Sequence, residues 1–160
     1  LPLSKNDPDF QAEIYNGLGF LYGMLCDYDK SSRNLEKAKK LFMKTGDMNR
    51  LAESYILDGD NYVDFGNFRK ALKNYQSALE ISQSGKLRKL EAEGCFCVGE
   101  IYRLTGNYGK ALKIFEKGKF ISKQNKYFSQ CIFIRKCYII LRFFREIFSI
   151  LHKFCRHLRR

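Results

Sequence analysis

The chain repeats at a period of 40 residues, and this constrains its fold more than any single motif. Gly19, Gly59 and Gly99 are 40 apart, and so are Tyr22, Tyr62 and Tyr102. Tyr28, Phe68 and Tyr108 keep the register, as do Ser31, Ala71 and Ala111, then Leu35, Tyr75 and Phe115, then Leu41, Ile81 and Ile121. Gly66 and Gly106 follow their glycines by seven residues, and Cys26 fills that slot in the first unit. Self-similarity at this length marks a solenoid, in which each unit buries its apolar face only against its neighbours.

Apolar residues within a unit recur at helical spacing. Leu51, Tyr55, Gly59 and Tyr62 form one stripe, and Ala71, Leu72, Tyr75, Ala78, Leu79 and Ile81 a second. Asp64-Phe65-Gly66-Asn67 between them carries turn chemistry, so each unit reads as a helix, a tight turn and an antiparallel helix. Gly46 and Gly85 are expected to end the first two units, with Asn125 ending the third.

The pattern resembles the tetratricopeptide repeat over about residues 11–124. Val98-Gly99-Glu100-Ile101-Tyr102, then Gly106-Asn107-Tyr108-Gly109-Lys110-Ala111-Leu112 and Phe115, carry it most fully. The second unit matches through Gly59, Tyr62, Gly66-Asn67-Phe68, Lys70-Ala71-Leu72, Tyr75 and Ala78, and the first through Leu18-Gly19, Tyr22, Tyr28, Leu35 and Ala38. The family's usual period is 34, so these units carry six extra residues, similar to the 40-residue subtype of the Leu-Gly-Asn repeat proteins. Tyr15, Tyr55 and Cys95 replace the residue that is often Trp, and the closing proline is absent. Asp58 occupies a slot that is Leu18 and Val98 elsewhere; a slight rotation of its helix is expected to keep it in water.

The expected fold is all-α: a tetratricopeptide-like solenoid, a right-handed superhelix of three antiparallel hairpins. A lead-in at 1–10 precedes units at about 11–47, 48–86 and 87–126, and a basic segment occupies 127–160. The chain enters the first unit almost at once without a Met, and reads as part of a larger protein.

The formal charge of +12 is uneven. Residues 1–118 hold 18 Lys and Arg against 16 Asp and Glu; residues 119–160 hold 11 against one. Cys137, Ile140, Phe144, Ile147, Leu151, Phe154 and Leu158 make a seam at steps of three and four, with Arg142, Arg145, Lys153, Arg156 and Arg160 largely off it. This basic amphipathic helix is open to three readings: a degenerate fourth unit capping the array, a docking helix for an acidic membrane or calmodulin-like groove through Arg142, Phe144, Arg145 and Ile147, or an end foreign to the repeat lineage. Lys and Arg here would attract phosphate unspecifically, but no motif for reading nucleic-acid sequence accompanies them. Apolar runs are interrupted before the roughly 18 residues a spanning helix needs.

The resemblance implies that first helices line a concave groove. Its positions are Glu13, Asn16, Phe20 and Met24; Glu53, Ile56, Asp60 and Val63; and Glu93, Phe96, Glu100 and Arg103. Glu13, Glu53 and Glu93 recur at one slot, so a partner peptide or helix carrying Lys or Arg with Leu, Ile or Phe is expected. Solvated carboxylates favouring the helix dipole account for that ladder equally well. Relatives that hold chaperone carboxyl termini use a clamp of Lys, Asn and Arg; Asn16, Phe20, Leu57, Glu93 and Cys97 stand in the matching slots, so that partner is not expected.

No phosphate loop is present, both histidines lie in the tail, and Asp58 and Asp60 face different ways on a helix, so no enzyme is expected. No cofactor or metal is expected either: His152, Cys155 and His157 are too few and too local for zinc. The six cysteines fit buried, reduced thiols of a cytoplasmic protein. A scaffold or adaptor in a cytoplasmic, cytoskeletal or ciliary assembly is the leading expectation, and a localisation module acting through the basic helix is the alternative.

Overall fold

The computed structural model describes residues 7–125, which form six α-helices and no strand. They are α1 (Pro8–Met24), α2 (Tyr28–Thr45), α3 (Met48–Asp64), α4 (Phe68–Ser84), α5 (Arg88–Leu104) and α6 (Tyr108–Gln124). Each odd helix packs antiparallel on the even helix after it, and α2 and α4 pack in turn on α3 and α5, giving three stacked hairpins. The tail positions Arg142, Phe144, Arg145 and Ile147, the cysteines beyond 97 and both histidines lie outside the described residues.

The 40-residue columns are contacts. At the crossing of each hairpin a glycine faces a large side chain: Gly19 meets Leu35, Gly59 meets Tyr75 and Gly99 meets Phe115. A Cβ at any of the three would stand 2.5 Å from the opposing side chain, so each crossing needs hydrogen at that position. The tyrosine column has a partner too. Lys30, Lys70 and Lys110 place their ammonium groups 5.4, 5.1 and 5.6 Å from the ring centroids of Tyr22, Tyr62 and Tyr102.

Turns within hairpins are equally regular. Asp27, Asn67 and Asn107 donate their N–H to the carbonyls of Tyr22, Tyr62 and Tyr102, and the residue before each donates to Gly23, Val63 and Arg103. This pair of bonds puts the first of the two donors into the left-handed region. Gly66 and Gly106 sit there at φ 81° and 77°, and Cys26 at φ 61°. Asp27 and Asn67 then cap the next helix by accepting from the N–H of Lys30 and Lys70.

Gly46 and Gly85 cap the ends of α2 and α4, as expected, but with different backbone geometry. Gly46 ends α2 with φ 81°, but Gly85 stays right-handed at φ −80° and Lys86 takes the left-handed place at φ 55°. Lys86, not Gly85, is 40 residues after Gly46, so register outweighs residue type here. Asn125 closes α6 at φ −107°, its side-chain amide donating to the Ile121 carbonyl at 2.8 Å.

The core has two textures. Between the second and third hairpins it is apolar: Ala71, Tyr75, Ala78, Val98 and Ile101 are buried, with Leu72 and Leu79 packed on them. Between the first and second it is polar. Asp58, expected in water, is only 2% exposed. Its Oδ2 lies 2.9 Å from Lys39 Nζ, and its Oδ1 accepts from Ser32 Oγ at 2.8 Å. Nearby, Asn61 donates to Ser31 Oγ at 2.7 Å, and Ser31 donates to the Gly19 carbonyl at 2.6 Å. The helix did not rotate because α2 supplies the cation that a buried carboxylate requires. Burial pushes the Lys39 ammonium toward a lower pKa, but the charges of Asp58 and Glu36 outweigh it and hold the pKa above its ordinary value.

Candidate interaction groove

The odd helices are neighbours along one side of the stack. Glu13 of α1 pairs with Arg50 of α3, and Asn16 of α1 accepts from Ser54 Oγ of α3 at 2.7 Å. The expected groove positions therefore lie on adjoining helices, though they do not all present themselves alike.

Phe20 and Met24 of α1 are the open apolar groups, at 50% and 51% exposure. Phe96 of α5 is half-buried against Phe115, with ring centroids 6.1 Å apart. Val63 is half-buried on the apolar core, and Ile56 belongs to that core outright. Ile56 carries the stack and offers a partner little.

The carboxylates are accompanied. Glu13 has Arg50, Glu53 accepts from Asn49 at 3.1 Å, and Glu100 has Arg103 at 2.9 Å. Asp60 accepts from the Tyr75 hydroxyl at 2.5 Å, which ties it to α4, and Glu93 is half-buried. Glu13, Glu53 and Arg103 are solvent-exposed, and their pairs can be shared with an incoming charge at small cost. The acidic ladder is thus a set of local pairs beside open apolar groups rather than bare negative charge.

Of the expected buried thiols, Cys95 and Cys97 are buried and Cys26 is exposed. Burial pushes the Cys95 thiol up to about 11, with Lys117 opposing and Glu91 assisting. Among the described residues no cluster of His, Cys, Asp and Glu could hold a metal, and no helix is long and apolar enough to cross a membrane.

Sequence reasoning missed the Lys39–Asp58 pair. Its signal was partial: the slot of Asp58 is Leu18 and Val98 in the other units, whereas the slot of Lys39 is Leu79 in the second and an exposed Lys119 in the third. Only the Asp58 column showed a charge in an otherwise apolar slot.

The glycine crossings and left-handed turn slots recur in register, and a model described as tetratricopeptide repeat matches residues 10–84, just under half of the chain. Those residues match the tetratricopeptide repeat. The third hairpin continues the tetratricopeptide architecture through Gly99, Phe115 and Gly106 at the same register. No curated protein sequence matches the chain. Among solved structures, aspartyl phosphate phosphatase F from Bacillus subtilis superposes with a TM-score of 0.71 at 16% identity, over 76% of this chain and 32% of that one. The TPR domain of Arabidopsis FLU superposes with a TM-score of 0.67 at 15% identity, over 74% of this chain and 99% of that one. A Rap protein complexed with Competence and Sporulation Factor superposes with a TM-score of 0.66 at 20% identity, over 76% and 34%. The chain thus spans about a third of the length of the phosphatase and of the Rap protein. At these identities the likeness is one of fold: a tetratricopeptide-like solenoid.

Proposed function

We propose that this chain is a protein-binding adaptor whose groove, along α1, α3 and α5, takes a peptide or helix combining Lys or Arg with Leu, Ile or Phe. The observation that carries this reading is the exposure of Phe20 and Met24 on α1, the helix that also carries exposed Glu13, with exposed Glu53 on the neighbouring α3. An apolar anchor would seat on Phe20 and Met24, and a basic group would join the Glu13–Arg50 or Glu100–Arg103 pair. That a Rap protein of this fold is solved with a bound factor supports use of the scaffold for holding a ligand. Nothing in the reading calls for catalysis.

Selection from a displayed peptide library tests it. Enrichment of basic–apolar sequences, lost on Phe20→Ala and on Glu100→Lys, is the expected result. Enrichment of acidic sequences, or binding indifferent to both substitutions, overturns it.

A second reading rests on composition: residues 119–160 hold 11 basic residues and one acid. In it the segment localises the protein on an acidic membrane or in a calmodulin-like groove. Binding to vesicles containing anionic lipid should then weaken steeply with salt and fail when Phe144 and Ile147 are replaced. Cytoskeletal or ciliary placement belongs to the adaptor reading and is tested by its partner's identity.

A further inference from the structure

Charge is sorted between the two sets of helices. The odd helices α1, α3 and α5 carry 4 Lys and Arg against 9 Asp and Glu; the even helices α2, α4 and α6 carry 14 against 4. The excess on the even helices is partly in register. Lys30, Lys70 and Lys110 are 40 apart, and so are Arg33, Lys73 and Lys113, one helical turn further along the same face. All six side chains are exposed.

Local structure does not use up these charges. Lys30 pairs with Asp27 at 2.8 Å. Among the described residues Arg33, Lys70, Lys73, Lys110 and Lys113 form no ion pair. Helix stability does not account for them either. Lys30, Lys70 and Lys110 stand in the first turn, where the dipole disfavours a cation, and α4 and α6 have no acid in that turn. In the middle hairpin, which has a neighbour on each side, Lys70 and Lys73 remain exposed. The basic band is therefore a property of the outer face of each hairpin, whatever meets the ends of the stack.

Three features of the band select the anion. The ring faces of Tyr22, Tyr62 and Tyr102 are taken by the lysine ammonium groups, at 5.4, 5.1 and 5.6 Å from the centroids, so nucleic-acid bases find no stacking platform there. Five of the six cations are lysines, point charges without the fork by which arginine grips a phosphate. Finally, α4 exposes no large apolar side chain to enter a bilayer. A flexible chain of carboxylates, each meeting an ammonium singly, fits all three.

We infer that the outer face of α2, α4 and α6 is a second protein-binding surface, and that its occupant is an acidic polypeptide segment. The segment is extended, carries Asp or Glu at short intervals, and crosses the three hairpins along the two basic columns. This surface is separate from the groove of the odd helices and does not depend on it.

The test titrates a fluorescein-labelled peptide of alternating Glu and Ser with the full chain at low salt and reads anisotropy. The triple variant Arg33→Gln, Lys73→Gln, Lys113→Gln removes three exposed, unpaired charges, so it should fold as the parent does and weaken binding about tenfold. Phe20→Ala in the groove, and the tail variant Arg142→Gln, Arg145→Gln, should each change binding less than about twofold. Carbodiimide cross-linking with peptide mapping should join the probe to Lys70, Lys73, Lys110 and Lys113. Binding unchanged in the triple variant, or cross-links confined to residues beyond 125, overturns the inference. So does a single-stranded oligonucleotide or an anionic phospholipid vesicle that binds more tightly than the peptide and loses that affinity in the triple variant, since the band would then serve phosphate.

Discussion

Replacing Asp58 with Ala tests the account of the boundary between the first two hairpins. The substitution removes a carboxylate that is 2% exposed and leaves Lys39, 4% exposed, with its ammonium in the interior. Removing one member of a buried ion pair costs about 3–5 kcal/mol, mostly because the other charge stays buried. Lys39 keeps two consolations: Glu36 at 2.6 Å, itself largely exposed, and the Tyr55 ring with its centroid 4.6 Å away. The cost should therefore fall at the low end, about 3 kcal/mol. Lys39→Met should cost more, about 4 kcal/mol, because Asp58 retains only the Ser32 hydroxyl among its side-chain partners. The double variant Asp58→Val, Lys39→Leu copies the apolar boundary between the second and third hairpins. It should recover to within about 1 kcal/mol of the parent or exceed it. Urea unfolding followed by circular dichroism gives all four corners of the cycle. Single costs below about 1 kcal/mol that add without coupling would refute the reasoning, since uncoupled sites do not share a buried pair. The pH dependence is a second check. Lys39 has a folded pKa above its unfolded value of about 10.4. Its contribution is fully present below that value and is lost as pH rises through the folded one. The stability gap between the parent chain and Lys39→Met should thus be flat from pH 7 to 9 and narrow above about 10.5.

Gly59→Ala and Gly99→Ala should each destabilise by about 1–3 kcal/mol, because the new Cβ would stand 2.5 Å from the Tyr75 or Phe115 ring; a change under about 0.5 kcal/mol in urea unfolding would show that the rings yield freely. Cys26→Gly should raise stability by about 1 kcal/mol, since the residue sits at φ 61° where glycine carries no penalty; a loss of stability would mean the Cys26 side chain contributes packing that outweighs the strain. Iodoacetamide at pH 8 should modify exposed Cys26 well before Cys95, whose thiol is buried and held protonated, with the difference abolished in urea; equal rates in peptide mapping of the native chain would contradict the burial of α5.

The sequence by itself determined what repeats. Helix spacing, the columns that set glycine against a large side chain and the turn slots are set by local geometry and by a crossing that recurs every 40 residues, so three like solutions are visible without coordinates. Even Cys26 could be placed, because register identified its slot before its conformation was known. What the tertiary structure alone decided are the places where repeats differ. Whether Asp58 is wet or buried depends on Lys39, 19 residues away on another helix. Whether a groove carboxylate is free depends on Arg50 or Tyr75, which approach from neighbouring helices. Local sequence fixes which face of a helix is apolar; only packing fixes what meets that face, because a buried charge is defined by its neighbour.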